Sequence, residues 1–135
     1  MKKFEEKKFN IPALKGISAK TMEEHLKLYA GYVKNLNIIQ EILENQDTPE
    51  YARREACRRQ GFEFGGMRNH EYYFSHFLGG PKLLSPDSPL YEKIVEWTGS
   101  FGSFLEIFKN LATTRGIGWA MLGYDKQTDT LIQYW

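Results

Sequence analysis

The chain has 135 residues, enough for one complete domain or one domain and part of another. Its 18 Lys and Arg against 17 Asp and Glu leave a net charge of +1, so no basic excess points to nucleic acid or to an anionic membrane. Aromatic residues make up 15% of the chain, which favours a packed core over disorder, and no apolar run is long enough to span a bilayer. Behind the charged start Met1-Lys2-Lys3-Phe4-Glu5-Glu6-Lys7-Lys8 there is no apolar stretch, so it does not read as a secretory signal. Cys57 is the single cysteine and has no internal partner for a disulfide. A soluble, cytoplasmic protein is expected.

Phe9–Ile17 reads as an extended arm, with Pro12 biasing its predecessor away from helix and Gly16 punctuating the end. A long amphipathic helix follows, with Ser18 able to cap it and Thr21 with Glu24 matching a capping box. Met22, His25, Leu26, Tyr29, Val33, Leu36 and Ile39 or Gln40 recur at the three-and-four spacing of one buried stripe, and the helix is expected to end near Asn45. A lone histidine on such a stripe is ordinarily a satisfied core residue.

Asp47-Thr48-Pro49 breaks the pattern, with Thr48 as a candidate cap and Pro49 at the first helical position. A second helix is expected from Glu50 to Leu78, stopped by Gly79-Gly80-Pro81. Arg53, Arg54, Arg58 and Arg59 are interleaved with Glu50 and Glu55, which suits a solvated face better than a phosphate site. Within this helix, Gly61–Gly80 crowds aromatics around His70, with Gly65 and Gly66 about one turn before it. Two long helices joined by a short break should pack as an antiparallel hairpin, turning His25 and His70 towards the same inter-helical space.

Ser85-Pro86-Asp87-Ser88-Pro89 is the best candidate boundary, giving expected domains of 1–84 and 85–135. Beyond it come a short helix carrying Leu90, Ile94 and Trp97, a break at Gly99, and a helix with Phe101, Phe104, Leu105, Phe108, Leu111 and Ala112 on one stripe. Trp119–Tyr124, a polar turn from Asp125 to Asp129, and Thr130–Trp135 read as a β-hairpin. The expected class is therefore α+β: a long-helix hairpin followed by an α/β domain with an antiparallel sheet. A lone hairpin is marginal in water, so the second domain is expected to be incomplete after its second strand.

The landmarks Thr21-Met22-Glu23-Glu24-His25, Tyr32-Val33-Lys34-Asn35-Leu36-Asn37, Asn69-His70-Glu71-Tyr72-Tyr73-Phe74, Ser100-Phe101-Gly102-Ser103-Phe104 and Gly116-Ile117-Gly118-Trp119-Ala120-Met121-Leu122 stand together in one order. In that order and spacing the chain resembles the iron/manganese superoxide dismutases from about Phe9 to Trp135. The resemblance implies an oxidoreductase that disproportionates superoxide to oxygen and hydrogen peroxide at one manganese or iron ion per subunit. It implies His25 and His70 as two metal ligands. The family's other two ligands belong to an Asp-x-Trp-x-x-His motif that this sequence does not contain, so the 135-residue chain alone is expected to bind metal weakly. Imidazole with carboxylate is a donor set that suits both metals.

By the same resemblance Tyr32 is the catalytic tyrosine at the mouth of the substrate funnel, while Tyr73 and Trp119 are aromatic walls. Tyr29 stands where many members carry an outer histidine. Gly66, one turn before His70, is the position where iron-preferring members usually carry glutamine, so glycine there leans towards manganese. Between His25 and Tyr32 the chain is one residue shorter than common members, about 100° of helical rotation, which a helix lacking a π-bulge would absorb. Family members usually form dimers or tetramers, so a homodimer or homotetramer is expected. The alternative is a catalytically silent relative that uses the fold as a structural or assembly subunit.

Overall fold

The computed structural model describes residues 2–135, and these fall into two compact units, the first ending at Pro81 and the second spanning Lys82–Trp135. In the first unit, α1 (Ala19–Glu44) and α2 (Glu50–Ser75) form a hairpin. It is antiparallel, since His25 meets His70, Asn35 meets Glu63 and the Leu43 carbonyl meets Arg53. Met22, Tyr29, Val33 and Leu36 of α1 interlock with Met67 and Phe74 of α2. Fully burying one such side chain is worth about 1.5–3 kcal/mol, so this stripe is what holds the helices together.

Capping explains the helix ends. Ser18 caps α1 by accepting from the Thr21 amide, which makes Thr21 part of the first turn and not the cap expected of it. Glu24 turns instead to Lys27. Thr48 does not cap α2 either: Pro49 holds that position, and the Thr48 hydroxyl donates to the Ile42 carbonyl at 2.8 Å. The other closure of the break comes from Arg53, which donates to the Leu43 and Asn45 carbonyls at 2.6 and 2.8 Å. Helix α2 ends at Ser75, three residues before the expected stop, because the chain loosens into turns that lead to Gly79 and Gly80. Leu26 lies at the rim of the stripe and is exposed.

The arm before α1 packs on the hairpin through Phe4, Phe9, Ile11, Leu14 and Ile17, and turns back on itself at a Leu14–Ile17 bridge. Asn37 anchors its start by accepting from the Phe4 amide and donating to the Phe4 carbonyl, at 2.9 and 3.0 Å.

In the second unit, α3 (Pro89–Thr98) and α4 (Phe101–Ala112) are capped by Ser88 and Ser100. Gly99 between them has φ of 79°, a left-handed conformation that ends α3 and that a Cβ would strain. β1 (Met121–Asp125) pairs antiparallel with β2 (Thr130–Tyr134), in register from Met121 opposite Tyr134 to Asp125 opposite Thr130. The first strand starts two residues later than the sequence suggests, leaving Trp119 and Ala120 in the approach to it. Ile94, Phe104 and Leu131 form the core of this unit, with Phe101, Phe108 and Leu122 packed around them. Leu105, expected on the buried stripe, is exposed instead.

Candidate metal centre

His25 sits two turns into α1 and His70 near the end of α2, and the antiparallel pairing brings them face to face. His25 Nδ1 lies 3.4 Å from His70 Nε2, and the rings are tilted against each other with centroids 5.5 Å apart. His70 Nδ1 donates to the Gly66 carbonyl, one turn back, at 2.7 Å. That bond leaves Nε2 as the nitrogen carrying the lone pair, the arrangement usual for a metal-bound imidazole.

Charge on His70 is disfavoured. Burial lowers its pKa most, the Gly66 bond acts the other way, and the neighbouring His25 lowers it again, for a net downward shift. A neutral imidazole is the form that binds metal. The two nitrogens are closer than the roughly 4.2 Å that separates ligands on opposite sides of an ion bound at about 2.1 Å each, so both can reach a common ion. Among the described residues no group of three or more His, Cys, Asp or Glu that could hold a metal ion stands together.

Aromatic rings enclose the pair. Tyr32 lies against His70 at 5.4 Å between centroids, and Tyr73 lies against His25 at 5.2 Å. Phe74 backs His70 from inside the core at 5.8 Å. Burial pushes the Tyr73 phenol up, keeping it neutral. α1 is regular α-helix throughout, with no π-bulge between His25 and Tyr32. Tyr32 therefore reaches the site by its ring, which crosses the backbone of α2 at Gly66. A Cβ built on Gly66 would stand 2.4 Å from the Tyr32 ring.

One expected site residue turns elsewhere. Tyr29 is buried but turns its hydroxyl away from the histidines, accepting from the Lys7 amide at 2.9 Å and donating to Glu71 at 3.1 Å. Trp119 is half-buried in the second unit, just before β1. His76 is exposed on the turn after α2.

Sequence reasoning missed the buried acids. Glu71 is held by Lys7 at 2.8 Å, by Arg68 and by Tyr29. Burial alone would raise its pKa, but the bonds from Lys7 and Tyr29 and the charge of Arg68 outweigh that and hold the carboxyl below its ordinary value. Glu63 is likewise buried, bonded to Arg59 at 2.8 Å and Asn35 at 3.2 Å. A signal existed: Glu63, Met67, Glu71 and Phe74 share one face of α2, so two acids occupy positions where periodicity expects apolar residues.

Curated relatives agree along most of the chain. It is 33% identical over 116 residues to an iron superoxide dismutase of Tetrahymena pyriformis, covering 79% of this chain and 58% of that protein. It is 32% identical over 127 residues to a mitochondrial manganese superoxide dismutase of Petromyzon marinus, covering 85% and 82%. With an iron superoxide dismutase of Aquifex pyrophilus it shares 34% identity over 130 residues, covering 88% and 59%. The chain thus spans less than two thirds of the length of the Tetrahymena and Aquifex proteins. No family model matches it.

Proposed function

The chain belongs to the iron/manganese superoxide dismutase family, and from that premise we propose that it supplies two ligands, His25 and His70, to a metal centre that disproportionates superoxide to oxygen and hydrogen peroxide. The observation that carries this reading is the 3.4 Å approach of His25 Nδ1 to His70 Nε2, with His70 Nδ1 fixed by the Gly66 carbonyl. Two imidazoles on facing helices, one with its tautomer set, fit a borderline divalent ion. The bound ion supplies the one-electron redox couple that the reaction needs.

The chain's own residues do the rest. Gly66 orients His70. Phe74 backs His70 and Tyr73 lies against His25, which shields the pair from water on those two sides. Tyr32, with its ring against His70, is the gateway that places a phenol hydroxyl at the mouth of the site. Manganese is the preferred metal, with iron accepted, because position 66 carries no side-chain amide. The intact protein is proposed to act as a homodimer or homotetramer in the cytoplasm; no described helix is long and apolar enough to cross a membrane.

The test is metal analysis and a superoxide-consumption assay on the protein expressed from its full reading frame, beside His25→Ala and His70→Ala. Each variant should lose bound manganese or iron and most of the activity. Unchanged metal content in His70→Ala would refute the ligand assignment. Failure of the parent protein to bind either metal would leave the fold in a structural or assembly role.

A further inference from the structure

We infer that Tyr32 and Gly66 form a steric lock. The Tyr32 ring takes the volume that any side chain at position 66 would need, and the bare backbone there lets the ring lie over His70. A Cβ on Gly66 would come within 2.4, 2.5 and 2.6 Å of Cε1, Cδ1 and Cζ of Tyr32. These are atoms of a rigid ring, so the encounter cannot be relieved by swinging a flexible chain end.

The contact is specific to this position. Gly31, Gly61 and Gly65 lie in the same two helices, and a Cβ on any of them would meet nothing within 4 Å. The ring is also hemmed in, with Phe62 at 6.0 Å and His70 at 5.4 Å between centroids, so a ring pushed off position 66 must change its placement over His70. Gly66 therefore positions two groups at once: its carbonyl fixes the imidazole of His70, and its missing side chain fixes the phenol of Tyr32. No side chain can stand at position 66 while Tyr32 keeps its place. Residue size at 32 and residue size at 66 trade against each other. The inference rests on the proposed metal centre only for the weight given to the Tyr32 hydroxyl; the packing itself is a property of the metal-free chain.

The experiment uses the whole chain in chelator, so its outcome is separate from whether the protein binds metal. Gly66→Ala is compared with the control Gly65→Ala by thermal unfolding, each alone and with Tyr32→Ala. Alanine is the better helix former, so Gly65→Ala should hold or raise the Tm. Gly66→Ala should lower it by about 4 °C or more, a range set by how Tm responds to stability in a small domain. Combined with Tyr32→Ala, the same Gly66→Ala change should raise the Tm. The His70 ring-proton NMR shift at fixed pH should move in Gly66→Ala and in Tyr32→Ala but not in Gly65→Ala, which a general loss of stability would not produce. A Gly66→Ala variant that fails to fold while Gly65→Ala folds supports the lock. If Gly66→Ala raises the Tm as Gly65→Ala does, or leaves the His70 shift in place, the lock is wrong.

Discussion

Tyr29 and Glu71 meet inside the helical hairpin, the phenol donating to the carboxylate at 3.1 Å while accepting from the Lys7 amide. This single hydroxyl joins the arm, α1 and α2. Burial raises the pKa of Tyr29 most, the Lys7 bond opposes it, and the Glu71 charge raises it further, for a net upward shift. A phenol whose folded pKa lies above its unfolded value of about 10 contributes stability that is complete below pH 10. That contribution is lost as the pH climbs through the folded value. Alkaline unfolding followed by circular dichroism should therefore steepen above about pH 10 in the parent protein, and Tyr29→Phe should flatten that part of the curve. Parallel curves for the two proteins would show that the phenol is not protected.

Glu71 is more demanding than its partners. Its side chain is 7% exposed, while Lys7 is 58% exposed. Glu71→Ala leaves Arg68 and the Tyr29 hydroxyl without their acceptor and should cost about 3 kcal/mol, the scale for breaking a buried ion pair. Lys7→Met removes only a largely solvated charge and should cost under about 1 kcal/mol. Urea denaturation of the two variants checks the ranking, and equal losses would contradict it.

Arg53 closes the break between the helices through two carbonyls at the end of α1. Arg53→Ala should destabilise the hairpin by about 1–3 kcal/mol, the range for hydrogen bonds from a charged donor. Lysine should restore only part of this, because an ammonium lacks the fork that spans both carbonyls. Full recovery in Arg53→Lys, read by urea denaturation, would mean that charge alone matters there.

In the second unit the Trp135 ring lies against Gly118, where a built Cβ would approach it to 2.7 Å. Gly118→Ala should displace the indole and change the near-ultraviolet circular dichroism of the tryptophans. A spectrum that stays unchanged would show that the ring keeps its place.

The helices and their partners were legible because they follow from local spacing. The stripe from Met22 to Ile39, the break at Pro49, and Ser18 as a cap all stand where their side chains act within a turn or two. The meeting of His25 and His70 followed from joining two such helices by a short break. What escaped were contacts whose two halves lie far apart in sequence. Glu71 pairs with Lys7, 64 positions earlier, and no periodicity announces that pairing. Arg53 read as one more solvated charge because the carbonyls it serves belong to the preceding helix. The Tyr32–Gly66 contact was hidden for the opposite reason: the sequence records a glycine, but not the ring that requires it.

The arm before α1 touches the hairpin through pairs separated by 22, 33 and 64 residues: Lys7 with Tyr29, Phe4 with Asn37, and Lys7 with Glu71. The hairpin can assemble from contacts across one short turn, whereas the arm must close long loops before it gains anything. It is thus set to dock late in folding and to lift first when the native state opens locally. The amides of Phe4 and Lys7 should then exchange with solvent by a low-energy opening while Met67 and Phe74 stay protected until the whole unit unfolds, giving this small fold two clocks.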